Sequence, residues 1–213
     1  MVEILYADAD LVVAVKPAGV LSQDGGENSM PHLLRQQLSL EQIHVLHRLD
    51  KDVGGVMVYA LTKEAAAKLT RVVQDREMEK VYLAVLRGVP EEKEAVLEDL
   101  LFHDQRRNKT YVVDRQRKGV KDAKLEYTVL ETAEECALVR VRLHTGRTHQ
   151  IRVQFASRKL PLVGDGKYGG KEPGSSLGLW CHSLSFPHPV TGKPLSFTQM
   201  PPRAKPWDKF AIK

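Results

Sequence analysis

Short runs of apolar residues, many of them β-branched, recur along the chain and are separated by turn-forming residues. The first two, at 4–6 and 11–15, lie on either side of Asp8 and Asp10, which predicts a pair of strands. Runs of the same kind predict further strands at 56–61, 80–86, 95–101, 110–113, 123–130, 137–143, 177–186 and 195–198. Strands therefore dominate the pattern.

Three segments show helical spacing instead. Ser29, with Pro31 just behind it, predicts a helix start, and the turns that follow carry an apolar stripe of Leu33, Leu34, Leu38 and Leu40. Thr62 predicts the cap of a second helix, whose buried stripe comprises Ala66, Leu69, Val72 and Val73. A third helix is expected at about 149–157.

Many strands and few helices, in no regular alternation, favour an α+β fold built on a mixed, largely antiparallel sheet. The chain contains no internal repeat, linker or low-complexity tract. We therefore expect one domain over residues 1–213.

The composition is that of an ordinary globular protein, with 42% hydrophobic and 28% charged residues among 213. The apolar run at 11–15 is too short to span a bilayer and follows acidic rather than basic residues. We therefore expect a cytoplasmic protein without a membrane partner. Cys136 and Cys181 form no CxxC pair, which excludes a disulfide framework and a zinc cage.

The charge is distributed unevenly. The net charge of +5 divides into −6 over the first 101 residues and +11 over the remainder. Residues 103–124 hold 8 basic and 3 acidic side chains, and residues 136–160 hold 6 basic and no acidic ones. This indicates either a face for a polyanion such as RNA or a solvated surface that is merely basic, and charge alone leaves both open.

A polar loop, His-Arg-Leu-Asp-Lys-Asp-Val-Gly-Gly at 47–55, precedes the strand predicted at 56–61. It places Asp50 near a strand end, beside two glycines that permit unusual dihedral angles. This is a usual setting for a catalytic acid, base or nucleophile. An aspartate beside arginine and glycine is also a common turn former or surface ion-pair partner, so the residue types leave both interpretations open.

Arg147 and Arg152 bracket the predicted start of the third helix. A guanidinium group can hold a carboxylate or a phosphate through two contacts, and a helix N-terminus favours an anion. The absence of acidic residues from 136 to 160 leaves these arginines without a local neutralising partner in sequence. The pattern favours an anion site over a merely basic helix start.

Three further features are less informative. Tyr82 is either a core residue or a ring that stacks on a nucleobase. The segment at 164–169 satisfies G-x-G-x-x-G, but Gly170 and Pro173 follow where a dinucleotide site needs a helix, so no nicotinamide or flavin is expected. No metal is expected either, because no Cys cluster or H-E-x-x-H motif accompanies the histidines. These histidines are interpreted as RNA contacts, caps or core groups: His44, His47, His144, His149, His182 and His188.

Four motifs, in this order, resemble those of the RluA family of pseudouridine synthases. They are His-Arg-Leu-Asp at 47–50, Lys-Val-Tyr-Leu-Ala at 80–84, Thr-Gly-Arg-Thr-His-Gln-Ile-Arg at 145–152 and Gly-Asp-Gly-Lys-Tyr-Gly at 164–169. The resemblance extends from about residue 4 to residue 201. It implies the pseudouridine synthase fold and the isomerisation of uridine in structured ribosomal or transfer RNA. Because that reaction is redox-neutral and adds no atom, no cofactor is implied.

The resemblance implies a role for several residues. It places the catalytic aspartate at Asp50, which would attack the ribose or base or abstract a proton from the sugar. It places the base-stacking tyrosine at Tyr82, and at Arg152 the arginine that would pair with Asp50. Arg48 resembles the side chain that fills the RNA stack when a uridine is flipped out. Arg147 is expected to touch a phosphate and His149 to contact RNA.

Many relatives carry a separate RNA-binding domain before the catalytic one, whereas the strands predicted here begin near residue 4. We therefore expect the catalytic domain alone to choose its target. We also favour a monomer. Additional RNA contacts are expected from Arg115, Arg117 and Lys118, at the turn of a hairpin formed by the flanking strands.

Two other functions fit the same residues. A metal-dependent nuclease would use Asp50 and Asp52 as ligands and would lose its activity in excess chelator. A non-catalytic RNA-binding protein or chaperone would use the same basic face but would make no pseudouridine.

Overall fold

The structure is a computed structural model that describes residues 1–212. These residues form eleven strands, three α-helices and one short 3₁₀ helix. In chain order they are β1 (Glu3–Ala7), β2 (Leu11–Lys16), α1 (Met30–Leu38), β3 (His44–Val45), β4 (Gly54–Ala60), α2 (Lys63–Gln74), β5 (Glu79–Arg87), β6 (Glu94–Asp104), β7 (Lys109–Val113), β8 (Val120–Ala133), β9 (Cys136–Leu143), α3 (Gln150–Ala156), β10 (Leu179–Pro187), β11 (Pro194–Thr198) and the 3₁₀ helix Trp207–Lys209.

The chain divides into two compact units. Unit 1 comprises Met1–Lys80 and Trp180–Pro201, and unit 2 comprises Val81–Leu179 together with the segment that begins at Pro202. None of the helices in the described residues has the length and apolarity needed to cross a membrane. That residues 1–213 form one domain stays a prediction.

Unit 1 is a sheet with one parallel pairing. Its strands lie in the order β1-β2-β4-β10-β11, with β3 on the end of β4, and only β4 and β10 run parallel. Strands β2 and β4 are buried along their whole length, as continuous apolar runs require. Helix α2 packs Ala65 and Leu69 into the core formed by these strands.

Unit 2 is an antiparallel sheet in the order β5-β9-β8-β6-β7. Strands β8 and β9 meet in a tight turn at which Glu134 has a left-handed φ of 54°. Helix α3 contributes Val153 to a small core with Leu101 and Ala123. Every residue from Gln150 to Phe155 is buried, so α3 is a core helix.

Most of the predicted elements are confirmed, as is the α+β class with mixed, largely antiparallel pairing. Thr62 caps α2 as predicted, because its hydroxyl oxygen accepts a hydrogen bond from the Ala65 N–H at 3.1 Å. Helix α1 ends at Leu38 rather than at Leu40, since Ser39 takes a left-handed conformation and its N–H bonds to the Arg35 carbonyl. Of the stripe predicted for α2, Leu69 is buried and Ala66 is only partly so.

The predicted hairpin around Arg115, Arg117 and Lys118 is wrong. Strands β7 and β8, which flank this loop, do not pair with each other, because β6 lies between them and pairs with both. The hairpin partner of β7 is β6, through a turn at 105–108 in which Asp104 Oδ1 accepts hydrogen bonds from the N–H groups of Arg106 and Arg107. The loop at 114–119 therefore connects two strands that lie on opposite sides of β6.

Candidate functional site

Asp50 lies in the loop that leads into β4, in unit 1. Its neighbour Leu49 is buried, whereas Lys51 and Asp52 are exposed and Asp50 is half-buried. The Asp50 carbonyl accepts a hydrogen bond from the Val53 N–H at 3.0 Å, which closes a turn over 50–53. The carboxylate is thus carried on a tight turn whose preceding residue is anchored in the interior.

The main chain just before Asp50 is held by a buried serine. The Ser22 hydroxyl donates to the Leu49 carbonyl at 2.7 Å, and the same oxygen accepts from the Leu49 N–H at 3.0 Å. The Ser22 carbonyl in turn accepts from the Tyr59 hydroxyl at 3.2 Å. One side chain therefore bonds to both backbone polar groups of Leu49, its N–H and its carbonyl.

The main chain just after Asp50 is held by a buried lysine. Lys16 is 0% exposed, and its ammonium group donates to the carbonyls of Pro17 (2.9 Å), Val20 (2.6 Å) and Lys51 (2.9 Å). Burial lowers the Lys16 pKa to about 8, although the nearby charges of Asp52 and Asp50 act to raise it. The charge therefore persists at neutral pH and fixes the carbonyl of Lys51.

Two glycines allow β4 to approach β10 directly after this loop. Gly55 has a φ of 125°, and an added Cβ would overlap the backbone of Cys181. A Cβ on Gly54 would overlap the ring of Trp180. The glycine pair is thus required for the parallel pairing of β4 with β10.

His47 and Arg48 lie on the same loop in different environments. Burial, together with the nearby charge of Lys80, holds the His47 pKa well below its usual range. The neutral ring accepts a hydrogen bond from the Val58 N–H at Nε2 (3.3 Å), so His47 is one of the core groups foreseen for the histidines. The Arg48 side chain is exposed and donates to Gln23 Oε1 at 3.2 Å.

Arg152 lies on α3 in unit 2 and is only 7% exposed. Its Nε donates to Asp165 Oδ2 at 2.7 Å, and its Nη2 donates to Asp165 Oδ1 at 2.9 Å. Such a two-pronged pair fixes the plane of the guanidinium group as well as its position. Sequence reasoning did not foresee this partner.

Asp165 is itself fixed by the turn that carries it. Its Oδ1 also accepts from the N–H groups of Lys167 (3.1 Å) and Tyr168 (3.2 Å). Gly164 precedes it with a φ of 77°, and an added Cβ there would overlap the Ser176 carbonyl. The segment at 164–169 forms turns and no helix, as the sequence predicted.

The loop before α3 carries Arg147. The Gln150 side chain fixes this loop, because its Oε1 accepts from the Thr145 hydroxyl (2.8 Å) and from the Arg147 N–H (3.0 Å). Arg147 Nε donates to the Asp122 carbonyl at 2.9 Å. The helix begins one residue later than expected and has only seven residues.

Tyr82 and His149 are both largely buried. Tyr82, on β5, is 6% exposed and lies opposite Val141 of β9. His149 is 8% exposed, precedes α3 with a left-handed φ of 55°, and bonds through Nδ1 to the Tyr168 hydroxyl at 2.9 Å. The hydrogen bond gives the His149 ring a partner within the protein, and its contact with RNA stays a prediction.

The three basic residues of the β7–β8 loop are exposed. The Arg117 guanidinium lies over the Phe102 ring, 5.0 Å from its centroid, and Arg115 faces Asp114 at 3.6 Å. These contacts are accessible to solvent, so they restrict the side chains weakly. The loop can therefore offer its charges to a ligand.

Within unit 1 the structure brings Asp50 and Arg48 together on one loop, and within unit 2 it brings Arg152 and His149 together around Tyr168 and Asp165. The pairing of Asp50 with Arg152 and the stacking of Tyr82 on a base stay predictions. Lys16, Ser22 and Asp165 were missed as site residues. A signal was present for two of them, since Lys16 opens a Lys-Pro-Ala-Gly segment and Asp165 lies in a glycine-rich motif.

One group of possible metal ligands occurs among the described residues, formed by Asp8, Asp10 and His188. His188 Nδ1 accepts from the N–H groups of Val190 and Thr191 at 3.1 Å each, which places its proton on Nε2. That Nε2 donates to Asp8 Oδ2 at 2.8 Å. The geometry is that of a hydrogen-bonded cluster, in which the imidazole has no lone pair left for a metal.

Comparisons with known proteins give consistent matches. Residues 10–157 match the family model described as RNA pseudouridylate synthase. The chain is 34% identical over 219 residues to an uncharacterized RNA pseudouridine synthase of Aquifex aeolicus, covering 92% of this chain and 68% of the relative. It is 37% identical over 176 residues to ribosomal large subunit pseudouridine synthase D of Pseudomonas aeruginosa, covering 79% of this chain.

Among solved structures, the chain is similar to human RNA pseudouridylate synthase domain containing 1. The TM-score is 0.83 at 25% identity, over 95% of this chain and 84% of the human one. The chain spans 68% and 54% of the length of the two bacterial relatives.

The first prediction concerns the titration of Lys16. Burial lowers its pKa from 10.5 to about 8, so between these values the unfolded chain binds more protons at this residue than the folded chain. The Lys16 contribution to the free energy of unfolding therefore rises with pH across this window, by at most ~1.4 kcal/mol per pH unit. As the pH rises across this window, we expect the free energy of unfolding of the wild type to increase relative to that of Lys16→Met. The measurement is denaturant titration of both proteins.

The control is Lys63→Met, which removes an exposed lysine from α2. A Lys16→Met difference that stays flat or falls as the pH rises would contradict the assignment of a buried, charged Lys16.

The second prediction concerns the Arg152–Asp165 pair. Asp165→Asn removes the negative charge that balances a buried guanidinium, so we expect it to lower the free energy of unfolding by ~3 kcal/mol. Glu134→Gln is the matched control, because it breaks the ion pair with Lys209 in which Glu134 is exposed. Equal and small effects of the two substitutions in denaturant titrations would show that the Arg152–Asp165 pair contributes no more to stability than an exposed ion pair.

Proposed function

Because this chain belongs to the RNA pseudouridylate synthase family, we propose that it converts uridine to pseudouridine within structured RNA. The resemblance predicted from the sequence is confirmed, and with it the enzyme class, an isomerase that acts on RNA. The observation that carries the proposal for this chain is the fixation of Asp50. Ser22 holds the residue before it and Lys16 holds the residue after it, both from the protein interior.

The reaction explains why such fixation matters. The bond between N1 of the base and the ribose breaks, the base turns, and a new bond forms from the ribose to C5. C5 loses its proton and N1 gains one, so the reaction is redox-neutral and adds no atom. A carboxylate that acts at the reacting ribose or base must stay in place while the base moves, and fixed geometry lowers the barrier to such a step.

Arg152 has the second role in the proposal. Asp165 occupies Nε and one terminal nitrogen of its guanidinium group, which fixes the direction in which the rest of the group points. We assign to Arg152 the pairing with Asp50 that orients this carboxylate. Tyr82 is assigned the base-stacking position on the ground of its motif.

The RNA partner is proposed from charge and exposure. Arg48 is exposed beside Asp50, where an extended side chain could occupy the space of a flipped-out uridine. Arg147 and the β7–β8 loop offer guanidinium and ammonium groups to phosphates. Of the two RNA classes expected, we favour ribosomal RNA, because the relative from Pseudomonas aeruginosa is a ribosomal large subunit pseudouridine synthase.

The third prediction tests Asp50. Asp50→Asn preserves the shape of the side chain and removes its charge, so we expect pseudouridine formation to fall by a factor on the order of 10⁴ while RNA binding persists. The measurement is tritium release from RNA labelled at C5 of uridine, with binding followed separately by filter retention.

The control is Asp52→Asn, which makes the same change two residues away at an exposed position of the same turn. We expect it to retain activity within a few-fold of the wild type. Activity of Asp50→Asn within tenfold of the wild type would refute the assignment, and RNA binding by an inactive wild type would favour the non-catalytic RNA-binding protein.

The fourth prediction tests the β7–β8 loop. Replacing Arg115, Arg117 and Lys118 together by Gln should weaken RNA binding and flatten its salt dependence by about one unit of log-log slope per lost phosphate contact. Turnover on saturating RNA should persist. The control replaces Lys63, Lys68 and Arg71, three exposed basic residues of α2. Parallel salt-dependence lines for the loop variant and the wild type would show that the loop is only a solvated basic surface.

A further inference from the structure

We propose that Tyr168 is a positioning residue for Arg152, through a hydrogen-bonded network that its hydroxyl completes. The inference rests on the proposed function for its catalytic consequence, whereas the network itself lies within unit 2. Tyr168 belongs to the Gly-Asp-Gly-Lys-Tyr-Gly segment, and no role follows for it from the reaction as described above.

Tyr168 touches the Arg152–Asp165 pair in two ways. The Arg152 guanidinium carbon lies 5.3 Å from the centroid of the Tyr168 ring, within the range of a cation–π contact. The Tyr168 backbone N–H donates to Asp165 Oδ1 at 3.2 Å. The ring therefore limits how the guanidinium can tilt, while the backbone of the same residue orients its carboxylate partner.

The Tyr168 hydroxyl is fixed from two directions. It accepts a hydrogen bond from the Thr110 N–H of β7 at 2.8 Å and lies 2.9 Å from Nδ1 of His149. Because the oxygen accepts from Thr110, its own proton is available to His149 Nδ1. Burial raises the Tyr168 pKa, so the phenol keeps the proton that this bond requires.

The network continues beyond Tyr168 with a consistent direction. The Thr110 hydroxyl donates to the Thr148 carbonyl at 2.8 Å, so its oxygen can accept from His103 Nδ1 at 3.1 Å. The ring of His149 also meets the rings of Tyr168 and His103 edge to face. Tyr168 thus ties β6, β7 and the residue that precedes α3 to one point beside Arg152.

Removing the hydroxyl should therefore move Arg152 without removing its ion pair. Tyr168→Phe keeps the ring but withdraws the acceptor from the Thr110 N–H and the donor from His149. Without the hydrogen bonds of the hydroxyl, the ring at position 168 can tilt, and the Arg152 guanidinium that contacts it can change its orientation. An error in the position of a group that acts on the reacting centre lowers turnover rather than substrate affinity.

The test compares Tyr168→Phe and Tyr168→Leu with the control Tyr127→Phe. Tyr127 is a buried tyrosine of unit 2, and its hydroxyl donates to the Glu92 carbonyl at 3.2 Å. We expect kcat to fall about tenfold for Tyr168→Phe and about a hundredfold for Tyr168→Leu, with KM for RNA within about twofold of the wild type. Tyr127→Phe should leave kcat within about twofold of the wild type.

A second readout does not depend on activity. The Nε–H of Arg152, identified in ¹⁵N-arginine spectra by its absence in Arg152→Lys, should exchange slowly with water in the wild type and at least about tenfold faster in both Tyr168 variants. If Tyr168→Leu does not fold, Tyr168→Phe decides the outcome alone. Unchanged exchange, unchanged kcat, or an equal loss of kcat in Tyr127→Phe would overturn the proposal.

The two proposals fail separately in this experiment. If the wild type converts no uridine, the proposed function fails, and the exchange of the Arg152 Nε–H still decides whether Tyr168 holds Arg152. If the wild type is active and the Tyr168 variants match it, only the positioning role fails.

Discussion

A buried ammonium group must place all three of its protons on acceptors, and this requirement shapes the loops around Asp50. Lys16 is fully buried, and its three acceptors are carbonyls from two separate loops. The charge is stable in the interior only while both loops keep one arrangement, since a lost acceptor would leave a proton unsatisfied. Ser22 imposes a similar condition on the residue before Asp50. The conformation of the turn that carries the carboxylate is thus fixed by buried groups that take no part in the reaction.

Unit 2 also contains a buried cation that needs fixed partners, but here the partner is a carboxylate rather than a set of carbonyls. The buried guanidinium of Arg152 is balanced by Asp165, whose Oδ1 also accepts from two backbone N–H groups of its own turn. Charged groups in a protein interior are costly unless paired and hydrogen-bonded. In both units the residue assigned to catalysis or to its support therefore lies beside an interaction that tolerates little displacement. This is the preorganisation that transition-state stabilisation requires.

The sequence predicted the elements well because hydrophobic alternation and capping are local. Thr62 predicts a helix cap, and the apolar runs of β2 and β4 predict strands, without reference to the rest of the chain. The prediction of a β7–β8 hairpin was wrong because strand pairing is not local. Strand β6 is eleven residues long and pairs with both β7 and β8. The same limit explains the missed site residues. Lys16 and Lys51 lie 35 positions apart, and Ser22 and Leu49 lie 27 apart. The local sequence around these residues therefore does not predict the contacts.

We propose that this chain makes pseudouridine in cellular RNA. The most direct test is a map of pseudouridines, by chemical derivatisation and sequencing, in RNA from cells with the gene, without it, and with it restored on a plasmid. We expect at least one uridine, in ribosomal RNA, to be modified only where the gene is present. Identical maps in all three strains would contradict it.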